Sequence, residues 1–310
     1  MAKRKNNKKL IFTTISILIF FITIIISYSD NPNIPKWNDI YKVFNISKGT
    51  INEDYSSYPL SVHIIDVGKA DAIYIKSNNS NILIDAGDTD TKDKIVQYLK
   101  NNNVEKLDLV IATHPHKDHI AGMPNVINSF HIDRFIMPEL PEKIVPTTKT
   151  YMSMLKALDS KSVFAENPVI GNNFNIDDLN IEILGPTKKY EDLNNNSVVA
   201  KLKYKDISFL FTGDAEKEAE ADMIASGVNL KSTVLKVGHH GSKTSSTQEF
   251  LNAVKPKYSV ISVGPDSNNL PKDSTLQRIK KNNIKNYRTD NNGTVVVVTD
   301  GTDIKIFTEH

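Results

Sequence analysis

Hydrophobic and polar positions divide the chain into three stretches. Residues 10–28 run for nineteen positions without a charge and are rich in Ile, Phe and Leu. At ~1.5 Å per helical residue they reach roughly 28 Å, close to the hydrocarbon thickness of a bilayer. Residues 29–58 mix Asn, Pro, Lys and Ser without a clear period and read as a stalk. From residue 59 to 310 short β-branched runs alternate with helical spacing. Strands are predicted over 61–67, 72–75, 81–84, 107–112, 132–136, 179–184, 232–237 and 258–263. Two strand pairs, 197–204 with 207–211 and 294–298 with 303–307, turn at Lys205-Asp206 and at Asp300-Gly301. Helices are predicted over 92–100, 150–158, 215–224 and 247–254. Strand clusters mixed with single helices favour a layered α/β sandwich over a helical bundle.

Charge gives the first stretch a direction. Lys3, Arg4, Lys5, Lys8 and Lys9 precede the apolar run with no acid among them, so residues 1–9 read as a basic cytoplasmic tail. The expectation is a single-pass anchor at the cell membrane with the domain extracytoplasmic. A cleaved secretory signal and a buried core helix are the rival readings. Ser27, Tyr28 and Ser29 make a poor small-x-small cleavage site, and the apolar run is long for a signal. With five of the cations in the tail, the rest of the chain carries −3 against the overall +2, so bulk charge gives no argument for nucleic-acid binding. The absence of cysteine excludes disulfides, thiolate metal sites and a lipid-modified cysteine.

The chemistry concentrates after the predicted strand 107–112. His114, His116, Asp118 and His119 fall within six residues, a large share of the eight histidines in the chain. A loop leaving a strand turns alternate side chains inward, so His114 and His116 can reach one ion while Asp118 and His119 face a second. Imidazole nitrogen with carboxylate oxygen suits zinc, and also manganese or iron. Asp214 follows Gly213 at a strand-to-helix turn and reads either as a bridge between two ions or as a helix N-cap. One of His239 and His240 should complete the second site. His239 is the favoured ligand, leaving His240 as a substrate contact or proton donor. Ser242, Lys243 and Thr244 follow closely and can hold an anionic oxygen. Asp85, at another strand end, is placed to orient a ligand histidine. His63 and His131 lie within strand-like stretches and read as structural.

These residues together resemble the metallo-β-lactamase superfamily, and within it the extracytoplasmic hydrolase domain of ComEC-type competence proteins. The resemblance rests on residues 66–72, 83–87, 113–122 and 235–246, with 194–199 and 212–214 falling in the matching order. It implies a four-layer αβ/βα sandwich holding two divalent ions, zinc or manganese. His114 and His116 would hold the first ion, Asp118, His119 and His239 or His240 the second, and Asp214 would bridge them. Asp66 and Asp71 would join Asp85 in supporting the ligands, and Asn195, Asn196 and Ser197 would join the 242–244 loop around a phosphate. Asp118, Asp214 and His240 are the expected catalytic groups. The chain departs from the family in three places. No histidine lies between His131 and His239, Lys69-Ala70 stand where the branch usually has Gln-Gly, and 269–272 read Asn-Leu-Pro-Lys where a His-Pro-His-like stretch is common. The multispan channel portion of competence proteins has no counterpart in these 310 residues, so the chain is not expected to be a DNA channel itself.

Metal-assisted attack of water on a phosphodiester, DNA or another extracellular one, is the leading expectation, because two adjacent cations neutralise both the attacking and the leaving oxygen. Partners would come from DNA-uptake or cell-wall machinery. The alternatives are a hydrolase of a small or cell-wall ester, as in phosphorylcholine esterases, and a non-catalytic surface protein that binds through the same fold.

Overall fold

A computed structural model of the protein describes residues 54–265 and 269–310. The predicted membrane span and all but the last residues of the stalk lie outside the described residues. Among those described, no helix is long and apolar enough to cross a membrane. Residues 51–310 form one compact unit.

The first half builds β1 (Leu60–Ile64), β2 (Ile73–Ser77), β3 (Asn81–Ile84), α1 (Lys92–Asn101), β4 (Lys106–Leu107), β5 (Leu109–Ile111), α2 (Lys117–Ile120), α3 (Met123–Ser129), β6 (His131–Ile132), β7 (Phe135–Ile136), α4 (Lys149–Ser160) and β8 (Ala165–Glu166). The second half builds β9 (Asn173–Ile176), β10 (Leu179–Gly185), β11 (Val199–Tyr204), β12 (Ile207–Phe211), α5 (Lys217–Ser226), β13 (Val234–Lys236), α6 (Gln248–Val254), β14 (Tyr258–Ile261), α7 (Asp273–Lys281), β15 (Lys285–Arg288), α8 (Thr289–Asn292), β16 (Val295–Thr299) and β17 (Ile304–Thr308). The larger sheet runs β17-β16-β1-β2-β3-β5-β7-β8 and the smaller β15-β14-β13-β12-β11-β10-β9, while β4 and β6 pair alone.

The layering follows from which residues are apolar on which face. One cluster joins Val62, Ile75, Ile82 and Leu109 of the larger sheet to Ile181, Leu202, Phe209 and Val234 of the smaller, so the two sheets pack face to face. A second cluster sets Ile95 and Leu99 of α1, Val126 of α3 and Met154 of α4 against the outer face of the larger sheet. A third sets Met223 of α5, Phe250 and Leu251 of α6 and Ile279 of α7 against the smaller. The result is the αβ/βα order expected from the sequence. The central strands are buried on both faces, which is why β16 reads as a nearly continuous apolar run, while in β1 the buried Ser61 and His63 side chains bond each other. Threonine hydroxyls fix two helix starts: Thr148 accepts from the Tyr151 amide and Thr247 from the Phe250 amide.

The elements predicted within the described residues are all present, with ends moved by up to three residues and two exceptions. The stretch 107–112 divides between the small sheet and the large one, and 132–136 divides likewise. Sequence periodicity missed α3, β9, α7 and β15, along with the short α2, β8 and α8. Helix α7 buries only Thr275 and Ile279, and β15 is a polar edge strand, so neither carries an apolar signature.

Each sheet contains a parallel run, β3-β5-β7-β8 in one and β12-β13-β14-β15 in the other. Parallel strands deliver their following loops to one end, the carboxyl end, where α/β proteins commonly bind ligands. The loops after β3, β5, β12 and β13 all leave from that end. At the opposite end the turn after β11 is tied to the turn after β16: the Lys205 ammonium donates to the Asp300 carbonyl and the Asp206 amide to the Gly301 carbonyl. The chain enters β1 at Leu60 on this second end, which is called the base below.

Candidate metal centre

The loop after β5 holds the histidine cluster. His116 is extended and precedes the short helix α2, so His114 and His116 point to one side while Asp118 and His119 turn with the helix. The Nε2 atom of His114 and the Nδ1 atom of His116 face each other at 2.9 Å. The loop packs this tightly because Gly122 lies against the Ala86 carbonyl, where an added Cβ would sit 2.1 Å from the oxygen.

The smaller sheet supplies the opposing wall. Gly213, at φ +51, bends the chain after β12 and leaves room for Thr113 and Ser197, which any side chain there would meet at about 3.0 Å or less. The Ser197 hydroxyl accepts from the Asp214 amide at 3.1 Å. Asp214 is thereby turned inward, and its Oδ2 atom lies 3.7 Å from His114 Nε2, 3.4 Å from His119 Nε2 and 3.8 Å from His240 Nε2. An oxygen so placed could be shared by two ions. The alternative role of N-cap falls instead at Glu216.

Hydrogen bonds fix which nitrogen of each histidine is available, since a ring nitrogen that donates cannot ligate. The Asp85 carboxylate accepts from Thr113 through both its amide and its hydroxyl, and from His119 Nδ1 at 2.7 Å. With its own proton given to Asp85, the Thr113 hydroxyl accepts from His114 Nδ1 at 3.1 Å. His240 Nδ1 donates to the Ser262 carbonyl at 3.0 Å. All three rings therefore present Nε2 inward.

The ligand atoms form three candidate groups: His114, His116 and Asp214; Asp118, His119 and His240; and Asp71, His119 and Asp214. Four buried polar atoms here have no hydrogen-bond partner, namely His119 Nε2, His240 Nε2, Asp214 Oδ1 and Asp71 Oδ1. Leaving such atoms unpaired costs ~1–3 kcal/mol each, a penalty that bound cations would remove. Nitrogen and carboxylate donors around two adjacent positions fit divalent metal ions. The carboxylates also favour positive charge at this place. Burial opposes a charge on His119, yet Asp214 and Asp85 outweigh it and hold its pKa well above the usual range. Burial would raise Asp214, but His119 and His240 keep it well below the ordinary carboxylate value. Burial, aided by His119, pushes His114 far down.

Several expected roles change. His240, not His239, joins Asp118 and His119. Both residues are left-handed, at φ 52 and 48, and this reverses which of the two adjacent rings turns inward. His239 lies at the rim, where Nδ1 meets Glu216 Oε1 at 3.0 Å. Asn195 and Asn196 do not face the centre. Asn195 Oδ1 accepts from the Glu216 and Ala219 amides and so holds the start of α5, while Asn196 bonds the Tyr190 and Asp192 backbone and closes its own loop. Ser197 acts through the Asp214 backbone. Asp66 bonds the Gly68 amide and touches no ligand histidine. Asp71 is buried in an ion pair with Lys236 at 3.0 Å, and its other oxygen is 3.8 Å from His240 Nδ1. Ser242 and Thr244 do reach the rim, joined to each other and, through Thr244, to Glu216, while Lys243 is exposed.

Three contributors escaped the sequence reading. Glu216 collects Asn194, Thr244 and His239, and its position two residues after Asp214 was the only signal. Lys236 is hidden in an apolar strand. Lys69, noted only as a departure from the family, places its ammonium 3.5 Å from Asp118. His63 is structural, as expected, bonding Tyr98 and Ser61 while burial lowers its pKa to about 3.

Comparison with known proteins agrees with this geometry. The family model described as the metallo-beta-lactamase superfamily matches residues 65–264. ComE operon protein 3 of Bacillus subtilis is 30% identical over 76% of this chain and 32% of its own length. Competence protein ComA of Neisseria gonorrhoeae is 29% identical over 75% of this chain and 31% of its own. The chain thus spans about a third of the length of these relatives. The metallo-beta-lactamase fold protein YhfI from Bacillus subtilis superposes with a TM-score of 0.51 at 12% identity, over 77% of this chain and 99% of that one.

Proposed function

Because the chain belongs to the metallo-β-lactamase superfamily, and its domain is of the kind found in ComEC-type competence proteins, we propose that it is a metal-dependent phosphodiesterase or nuclease displayed outside the cell on an N-terminal anchor. The superfamily and the His/Asp clusters support metal-dependent hydrolysis. The choice of a phosphodiester rests on one observation. Asp214 Oδ2 stands between two ligand groups, within 3.4–3.8 Å of the inward nitrogens of His114, His119 and His240, so two cations would share one carboxylate and lie side by side. Bound there, two divalent ions would lower the pKa of a water and neutralise charge on a phosphate.

The chain's own residues supply the rest. His114, His116 and Asp214 hold one position with three protein ligands, which is the number a catalytic site needs if one position is to stay open. The missing intermediate histidine therefore does not disable that position. Asp118, His119 and His240 hold the other, and Asp85 keeps His119 in the required tautomer. Lys69 and Lys243 give the mouth positive charge toward an anionic substrate, and His239 stands at its rim with a carboxylate behind it. Two relatives are named for competence or its operon, and the DNA taken up in competence is a phosphodiester, which supports nucleic acid as the substrate class and a DNA-uptake apparatus as the partner.

The test uses the full chain in detergent, with bound metal measured and activity assayed on single-stranded DNA and a chromogenic phosphodiester after addition of zinc or manganese. The expected result is two metal equivalents and turnover that Asp214→Ala and His116→Ala abolish. Metal binding without turnover on either substrate would overturn the phosphodiesterase reading. Failure to retain metal would overturn the centre itself.

A further inference from the structure

The base of the domain carries a concavity unrelated to the metal centre. It has a volume of about 270 Å³ and is lined by Lys201, Lys203, Lys231, Lys255 and Lys257, with Asp206 as the one acid. None of the five lysines is in an ion pair with a carboxylate among the described residues. Lys201 is nearly buried, and its ammonium donates to the Asn229 carbonyl at 2.8 Å, which holds it at the floor. Burial lowers its pKa, Glu182 on the neighbouring strand raises it and Lys203 lowers it further. The other four are exposed at the rim. Five like charges gathered around one hollow repel one another, so an anion seated among them would relieve that repulsion.

The lining contains neither arginine nor an aromatic ring. Single-stranded nucleic acid is usually gripped by stacking on aromatic rings, and base edges are read largely by planar, forked groups. Lysines offer point charges to phosphate and no flat face on which a base could stack. The location decides further. The hollow is formed by the ends of β11 and β12 and by the loops entering β13 and β14, which is the end opposite the metal ligands. A strand bound here would not be at the ligand atoms. The chain enters the domain at this same end, where Asp54, Tyr55 and Pro59 line a hollow with Lys76 and Asn78.

We propose that the lysine concavity is a docking site for anionic phospholipid headgroups, which would seat the base of the domain on the membrane and leave the metal end facing outward. It rests on the proposed N-terminal anchor, because the anchor would keep the base near the bilayer. Basic residues held close to a membrane surface are drawn to anionic lipid, and the attraction falls off within a Debye length.

The test reconstitutes the full chain into nanodiscs of phosphatidylcholine alone and of phosphatidylcholine with phosphatidylglycerol, then follows amine labelling lysine by lysine by mass spectrometry. Labelling of Lys203, Lys231, Lys255 and Lys257 is expected to slow several-fold in the anionic discs and to recover in high salt. Lys243, at the metal end, should label equally in both. In the variant K231Q/K255Q/K257Q, Lys203 should lose its protection. Equal labelling in the two discs would overturn the docking site, whereas failure of the chain to enter either disc would overturn the anchor. Equal slowing by free inorganic phosphate in phosphatidylcholine discs would make the hollow a soluble-anion site and overturn the membrane assignment. Protection by a single-stranded oligonucleotide in place of phosphatidylglycerol would overturn it in favour of nucleic acid.

Discussion

The two ends of the sandwich handle charge in opposite ways. At the metal end charged groups are buried and meet opposite charge: Asp214 among four imidazoles, Asp85 against His119, and Asp71 against Lys236. At the base five ammonium groups share a hollow with one carboxylate, and four of them are exposed to solvent. Left-handed backbone belongs to neither end alone: Asp85, His239, His240 and Ser246 are at positive φ near the metal ligands, and Lys205 and Lys255 are so at the base. The metal end is therefore set apart by pairing, the base by an accumulation of one sign.

The largest expected effect breaks the pairing at its centre. Asp214→Ala removes the shared carboxylate, and metal affinity should fall by more than the ~10–100-fold typical of losing an outer partner, as read by chelator competition. Next, Lys236→Met leaves Asp71 as an uncompensated buried charge and should cost ~3–5 kcal/mol in denaturant unfolding. Pairing it with Asp71→Asn should restore most of that loss. If Lys236→Met is tolerated alone, Asp71 takes up a proton and the metal end does not depend on pairing. Asp85→Asn keeps the shape but presents an amide to the Thr113 and His119 donors, and should weaken metal binding by ~10–100-fold.

A smaller effect concerns Glu220, which holds the loop after His240 by accepting from the Ser246 and Thr247 amides and the Thr247 hydroxyl. Burial raises its pKa to about 6, with those hydrogen bonds opposing the shift. The folded state then holds the proton more tightly than the unfolded one. Its contribution is fully present below about 4.5, the unfolded value, and is lost as pH rises to about 6. Wild type should lose roughly 2 kcal/mol relative to Glu220→Gln across that window and no more above it, as measured by unfolding at a series of pH values. At the base, Lys257→Gln should change stability by no more than ~0.5 kcal/mol. A large loss there would show that the base, too, is held by specific pairing.

The contrast also explains what could be read from the chain alone. The 114–119 cluster was legible because four ligand atoms fall in one loop, and Asp214 because Gly213 marks a bend after a strand. The choice between His239 and His240 was not, since it depends on two successive left-handed residues that no spacing rule reveals. Asn195 looks like a polar loop residue in sequence, yet it is a buried support for α5, a role set by contacts more than twenty residues away. The lysine hollow was invisible for a related reason. Its members come from a strand and two separate loops, and their sum is diluted by an otherwise acidic domain.

The ligands of one centre come from both sheets, His114 to His119 from the first half of the chain and Asp214 and His240 from the second. In polymer terms a bound ion is a reversible cross-link closing a loop of more than a hundred residues. A cross-link of that span restricts the unfolded chain strongly, by about 4–5 kcal/mol if it acted as a permanent bond. Filling the site and folding the domain are then one linked equilibrium, and the supply of metal would set how much of the domain stays intact.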